Sequence, residues 1–583
     1  MSLPLKQYYT LLATYLRPQR ARTLAMMALL VTNIALKLIN PQITRFFIDT
    51  ALAGGEMVIL IRAALIFIAI AFSSQVLAVG ATYFAEQVAW TATNALRTDL
   101  VEHSLGLDLS FHKTHTPGEL IERIDGDVNM LSNFFSRFTI NILGSGVMLA
   151  GVLALLFRED WRIGLGMTLF AMIALYSLMR IRTIAIPFWK DRRQISAEFY
   201  GFLGEHLTAT EDLRANGAVG YVMARFRQFL RCWLPVRIKA DLAGYSMWMS
   251  TAAIFGIGTM IPLGMGAYGW RQGIMTIGTV YLIFNYAELL RGPLQQIREQ
   301  VTDLQQADAG IERVRALLET ESRLSSGGDS KLEPGPLDVY LNNVSFSYED
   351  QPDETVLDSI SFRLRPGRVM GLLGRTGSGK STLGRLLLRL YDPTGGLLRV
   401  GGVAPADVPL RAYRRRVGMV TQDVQLFHAT IRDNLTFFDS TIEDQHILAV
   451  IVDLGLNSWL DRLPKGLDTI LEGGAEGLSA GQAQLLAFAR IFLTDPGLVI
   501  LDEASSRLDP ATEQLIERAI DKLLANRTAI LIAHRLETVQ RADEILILEN
   551  GKVLEYGERP VLAADAGSHF AQLLTAGPEE ILA

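Results

Sequence analysis

The sequence predicts two folds joined end to end: an α-helical membrane domain of six transmembrane helices with long cytoplasmic extensions, then an α/β domain on a largely parallel sheet. Three observations carry this: six apolar runs before residue 291, a polar Gly/Ser/Pro-rich stretch at 322–338, and β-branched runs alternating with helical patterns after it.

A helix needs about 20 residues to cross a hydrocarbon core. Runs of that order lie at 23–48, 58–80, 137–157, 162–182, 247–270 and 273–290. The 49% hydrophobic content and mean hydropathy of +0.24 exceed what soluble proteins usually show. Lys6, Arg17, Arg20 and Arg22 precede the first run with no cleavage-site pattern, so no cleaved signal peptide is expected. Residues 5–16 read as an amphipathic helix on the membrane surface. The short links TALAGGEM, FREDWR and GWRQG alternate with long charged ones near 85–135 and 185–245. The long links and the N-terminus carry most of the Lys and Arg, which places them in the cytoplasm.

No proline interrupts 42–116, so the second span can continue as one helix of ~45 residues and ~70 Å. Punctuation in THTPGELIERIDGDVNML (114–131) and FLGEHLTATEDLRANGA (202–218) predicts a reversal at the end of each extension. The predicted division is 1–325 for the membrane domain, 326–337 for the linker and 338–583 for the α/β domain.

In that last domain VYLNNVSFSY, ISFRL, VMGLLG, VGMVTQ, LVILDEAS and TAILIAH read as strands, and ENGKVLEYG as a hairpin turned at Asn550-Gly551. Between the strand VMGLL and the helix TLGRLLLRL, the residues Gly374, Arg375, Thr376, Gly377, Ser378, Gly379, Lys380 and Ser381 fit G-x-x-x-x-G-K-[ST]. Such a P-loop turns backbone N–H groups around phosphates and adds the positive end of the helix that Thr382 continues. Lys380 would reach the β/γ oxygens of ATP, and Ser381 would ligate Mg²⁺. LVILDEA delivers Asp502 and Glu503 at the C-terminal end of a buried strand, where open α/β sheets place ligands. Asp502 would hold Mg²⁺ through water and Glu503 would orient or deprotonate the attacking water.

Other classes fall away. A net charge of -6 and pI near 5.9 give no basic excess for nucleic acid. The single cysteine, Cys232, excludes an intrachain disulfide and reads as a packing residue.

Leu478-Ser-Ala-Gly-Gln482 feeds a helix 20 residues ahead of Asp502 and resembles the signature of ATP-binding cassette (ABC) proteins. The resemblance covers the whole chain and implies an exporter-fold half-transporter with a P-loop NTPase domain of ABC type. It further implies that Tyr348 stacks on adenine, that Gln422 contacts Mg²⁺ and senses the γ-phosphate, that Asp509 lies at the dimer interface and that His534 touches the γ-phosphate. Ser479, Gly481 and Gln482 would serve the nucleotide held by the other subunit, so a second half-transporter chain is needed. Closure of two nucleotide domains around two ATP would move coupling helices with tips at Glu119–Asp127 and Thr208–Asn216, switching the membrane halves between inward-open and outward-open.

The implied function is ATP-driven export of an amphipathic small molecule, lipid or peptide across the cytoplasmic (inner) membrane of a bacterium, in contact with membrane lipid. An exporter-fold importer of a metal chelator and a nucleotide-gated channel share these motifs and stay open as alternatives. Ala480 and Ala483 depart from the family's usual glycine and arginine, and LEGGAEGLSAGQ lacks the Glu-Arg pairing common in homodimeric exporters. With Glu503, Gln422 and His534 kept, the resemblance points to the catalytically intact half of a heterodimer, favoured over a homodimer.

Four further residues draw notice. Lys37 in the first span is either a functional intramembrane charge or a lysine snorkelling to the headgroups. Asn285, Tyr286 and Glu288 in the sixth span are candidates for a polar cavity, with Glu288 expected to pair with Arg291 near the cytoplasmic edge.

Overall fold

The computed structural model describes residues 14–132, 139–324, 327–421, 424–471, 478–502, 510–533 and 536–576. The chain separates into two compact units, Met1–Leu105 with Gly118–Thr320, and Gly106–Pro117 with Glu321–Ala583.

The first unit is built on six long helices: α1 Arg20–Leu52, α2 Met57–Gly106, α3 Gly144–Glu159, α4 Trp161–Thr208, α5 Val219–Arg271 and α6 Ile277–Glu319. Among the described residues, the helices containing α1 to α5 are long and apolar enough to cross a membrane. In α6 the apolar run is interrupted by Asn285, Glu288 and Arg291, so its span is the most polar of the six. The 50 residues of α2, 48 of α4 and 53 of α5 give ~70–80 Å each at 1.5 Å per residue, more than twice the ~30 Å core.

Small residues set the packing. On α2, Ala81, Ala85, Ala89 and Ala92 are each no more than 2% exposed and lie at spacings of three and four, which puts them on one face. Their burial marks that face as the one turned towards the rest of the unit. At the outer ends Arg45 of α1 donates to both carboxylate oxygens of Glu159 at 2.8 and 2.9 Å. Asp49 accepts from Thr276 Oγ1 at 2.8 Å and from the Gly278 N–H at 3.0 Å, an anion on the N-terminus of α6. These contacts tie α1 to α3 and to α6.

The two reversals differ from expectation in detail. A short helix, Leu109–Thr114, is N-capped by Asp108, and the chain breaks at His115 before Pro117–Ile121. It is Gly106–Pro117, not Glu119–Asp127, that groups with the second unit. Asp127 is instead fully buried at the end of a π-type turn, Glu122–Asp127, where Arg313 Nε donates to it at 2.8 Å and Nη2 closes a second bond. The second reversal is the short helix Thr210–Ala215, ended at Gly217 with φ of 66°. Cys232, expected to pack, is exposed on α5.

The second unit holds two sheets. β2 (Thr355–Leu364), β1 (Val339–Ser347) and β4 (Gly395–Val400) form an antiparallel sheet in that order. The other runs β5 (Val417–Val420), β6 (Leu498–Asp502), β7 (Thr528–Ile532), β3 (Val369–Gly374), β8 (Glu544–Glu549) and β9 (Lys552–Glu558), parallel except for the final hairpin pair. That hairpin turns at Asn550 and Gly551, with φ of 48° and 77°. Three helices matter for the site: α7 Lys380–Leu387, α8 Ala480–Thr494 and α9 Pro510–Leu524. The central strands are covered on both faces, which explains why they read as unbroken apolar runs rather than alternating ones.

Candidate functional site

The turn from β3 into α7 requires glycine at two points. Gly374 has φ of 146°, and a Cβ there would lie 2.2 Å from the Leu548 carbonyl oxygen. Gly379 has φ of 100°, and a Cβ there would lie 2.5 Å from Leu357 Cδ2. The loop is therefore closed to larger residues by both conformation and space. Lys380, 5% exposed, donates from Nζ to the carbonyls of Gly374 at 2.6 Å and Arg375 at 2.9 Å. Ser378 is buried and its hydroxyl has no partner among the described residues.

The strand register brings the second element alongside. Asp502 pairs across from Ile532, and Ile532 across from Leu372, two residues before Gly374. The carboxylate at the end of β6 thus stands level with the loop at the end of β3. Ser381 Oγ lies 3.5 Å from Asp502 Oδ2.

Tyr348, just after β1, reaches the same place. Its hydroxyl shares a hydrogen bond with Thr382 Oγ1 at 3.0 Å and accepts one from Arg385 at 3.0 Å. The ring packs at 84° to Phe346 and 86° to Tyr391, and Lys113 Nζ lies 4.2 Å from its centroid while pairing with Asp350 at 2.9 Å. Burial alone would raise the Asp108 carboxyl, but N–H groups of Arg323, Phe111 and Ser110 hold it below the usual carboxylate range. That carboxylate anchors the Leu109–Thr114 helix to the start of the following segment at Arg323.

Ser479 and Gln482 form a capping box on α8: Gln482 N–H donates to Ser479 Oγ at 3.2 Å, and Ser479 N–H to Gln482 Oε1 at 3.0 Å. Ser479 and Ala480 are exposed, while Gly481 is buried. Ser-x-x-Gln is a capping signature readable in sequence that the family resemblance overshadowed. Gln422, Glu503, Asp509 and His534 lie outside the described residues.

Sequence reasoning missed Arg490. This side chain, 7% exposed within apolar α8, donates to the Asn434 carbonyl at 2.8 Å, to the Gln425 carbonyl at 3.0 Å and to Asn434 Oδ1 at 3.3 Å. Its guanidinium sits 4.5 Å from the Phe437 ring centroid, and burial pushes its pKa down to about 10. It pins the 425–437 segment onto α8. The available signal was a lone charge inside QLLAFARIFL.

The membrane unit contains a cavity of about 710 Å³ between α1, α2, α3 and α6, whose polar lining includes Asn33, Lys37, Asn40, Ser74, Asn285 and Glu288. Two expectations change here. Tyr286 is buried beside the cavity rather than in it, donating to the Leu38 carbonyl and accepting from Gln42, each at 3.0 Å. Arg291 lies over the Phe255 ring at 5.5 Å and makes no ion pair with Glu288.

A bundle of long membrane helices with a P-loop nucleotide unit on the same polypeptide defines an ATP-driven membrane transporter. Residues 23–294 match the family described as ABC transporter transmembrane region, and residues 357–506 the one described as ABC transporter. An ATP-dependent lipid A-core flippase of Idiomarina loihiensis is 29% identical over 97% of each chain. The putative multidrug export ATP-binding/permease protein YgaD of Bacillus subtilis is 30% identical over 85% of each. The solved structure of a bacterial Atm1-family ABC exporter with ATP bound superimposes with a TM-score of 0.80 at 25% identity, covering 96% of this chain and 98% of that one. The chain belongs to the ABC transporter family, as an exporter-fold half-transporter: an ATPase coupled to export across a membrane.

Proposed function

We propose that this chain is the hydrolytically competent half of a dimeric exporter, a heterodimer in preference to a homodimer, that moves an amphipathic drug-like molecule or lipid outward across a bacterial cytoplasmic membrane. The working division remains 1–325, 326–337 and 338–583 for membrane domain, linker and nucleotide domain. The observation that carries the reading is the convergence of Lys380, Ser378, Ser381 and Asp502 at the C-terminal ends of β3 and β6.

This donor set fits its ligands. A hydroxyl and a carboxylate within 3.5 Å are the hard oxygen ligands Mg²⁺ takes, directly from Ser381 and through water from Asp502, with Gln422 added by family resemblance. The ion when bound supplies neutralisation of phosphate charge. The protein's own residues do the rest. Lys380 exchanges two carbonyls for the β/γ oxygens, the Ser378 hydroxyl gains an acceptor, Tyr348 offers a ring to adenine, and Glu503 takes the proton of the attacking water. Ser479, exposed at the N-terminus of α8, serves the nucleotide of the second subunit with Gly481 and Gln482; Asp509 and His534 complete the dimer site. The names of the flippase and multidrug relatives support lipid or drug-like cargo, and the segment before the signature, without its Glu-Arg pairing, supports an unlike partner.

Glu503→Gln tests the assignment. ATP binding should persist while turnover falls by about 100-fold or more, the usual contribution of a general base. Lys380→Ala should weaken nucleotide binding itself. Near-normal hydrolysis in the first variant, or unchanged ATP affinity in the second, would overturn the respective role.

A further inference from the structure

We infer that the membrane cavity recognises a zwitterionic amphiphile, its anionic group meeting Lys37 and its cationic group meeting Glu288. This rests on the export reading for its purpose but not for its evidence, which is the distribution of unanswered polar groups.

Position comes first. Lys37 stands within a residue of the midpoint of α1, where its side chain lines the cavity together with Asn33 and Asn40 of the same helix. Counted from the outer helix ends at 1.5 Å per residue, Lys37 is ~22 Å along α1 from Leu52 and Glu288 is ~17 Å along α6 from Ile277. The two charges line one cavity.

Pairing comes second. Among the described residues neither Lys37 nor Glu288 has a hydrogen bond or an ion pair, with the other or with any third group. Opposite charges inside a membrane that do not neutralise each other are costly unless something else answers each one. Two neighbouring pairs are already engaged with each other: Ser74 donates to Asn33 Oδ1 at 2.8 Å, and Ser145 to Gln296 Oε1 at 2.7 Å. Asn40 is not, because its Oδ1 is buried with no partner. One turn from Lys37 on the same helix face, it adds a second acceptor.

The unanswered charges are therefore one cationic donor and one anionic acceptor, with the buried Asn40 Oδ1 as a further acceptor beside them. A headgroup carrying a phosphate or carboxylate together with an ammonium satisfies all three, whereas a purely anionic or purely cationic head leaves a charge unanswered. Leu30, Ile34, Phe67 and Met148 supply apolar wall for the attached chain. The volume of about 710 Å³ holds a headgroup and the first part of its tail.

The test is equilibrium binding to the nucleotide-free full-length transporter in a neutral maltoside detergent. Three short-chain probes share a fluorophore on identical tails and differ only in the head: phosphoethanolamine, phosphoglycerol or trimethylammonium. Fluorescence anisotropy should rank the zwitterion at least about tenfold tighter than either singly charged probe, the scale of one lost buried ionic contact. Lys37→Met should shift preference to the trimethylammonium probe, and Glu288→Gln to phosphoglycerol. Lys37→Glu combined with Glu288→Lys should restore the zwitterion preference, which a merely misfolded variant cannot do. Equal affinity for all three heads, or a ranking unmoved by any variant, would overturn the inference. ATP plays no part in the assay, so failure of the export reading would show separately, as ATP-driven movement of the amphiphile in the opposite direction or none at all in proteoliposomes.

Discussion

The two units bury their side chains by opposite rules. In the nucleotide unit every residue from Leu498 to Leu501 and from Thr528 to Ile532 is 3% exposed or less. In the membrane-crossing window of α2 only 11% of residues are buried: Ile68 and Phe72 are 61% and 71% exposed, and the buried alanines Ala85, Ala89 and Ala92 lie further along the helix, past the 58–80 run. Apolar character in the nucleotide unit reports distance from water, whereas on the outer faces of the membrane unit it reports contact with lipid. The membrane unit still buries large apolar side chains such as Leu156, Ile163 and Leu282, and beside them it holds a cavity lined by Lys37, Asn40 and Glu288.

Paired substitutions sharpen this contrast. Arg490→Ala leaves buried carbonyls unpartnered and should cost the nucleotide unit about 2–4 kcal/mol, whereas Phe72→Ala, removing a larger apolar group, should cost about 0.5 kcal/mol or less. Thermal unfolding of the detergent-solubilised chain reads both, and a larger loss for Phe72→Ala would break the contrast. Ala89→Leu follows, at about 1–3 kcal/mol, because Ala89 is fully buried and the larger side chain has to displace its neighbours. No loss of stability there would mean that the alanine face of α2 is not an interface.

Two smaller effects probe the nucleotide unit. Ser479→Ala removes half of a capping box and should lower stability by about 1 kcal/mol, less than its effect on ATP turnover if the hydroxyl also meets the partner's nucleotide. Equal proportional effects would leave only the cap. Asp108 sets a pH dependence. Its folded-state pKa is depressed, so its stabilisation is present above the ordinary carboxylate value of about 4 and disappears as pH falls through the lower, folded value. The protection of amides in 109–114, taken against the intrinsic exchange rate at each pH, should fall on acidification in the natural chain, and Asp108→Asn should flatten the profile.

What was legible in sequence follows the same division. The P-loop, the strand ending at Asp502 and the hairpin at Asn550-Gly551 are local patterns, and each lies where its pattern predicts. β4 escaped because GGLLRV opens with two glycines and reads as a turn; its partner β1 supplies the order. Hydropathy located the membrane helices but not their faces or their ends. The apolar run stops near residue 290, yet α6 continues to Glu319, a helix end that hydropathy does not mark. Arg291, expected to pair with Glu288, is drawn instead to the face of Phe255.

The most direct measurement of the central claim uses the transporter and its partner chain in proteoliposomes with the nucleotide domains facing out. External ATP should drive a fluorescent amphiphile into the vesicle lumen or inner leaflet, and Glu503→Gln should abolish that accumulation while keeping ATP bound. Accumulation that survives the substitution, or movement in the opposite direction, would contradict the account.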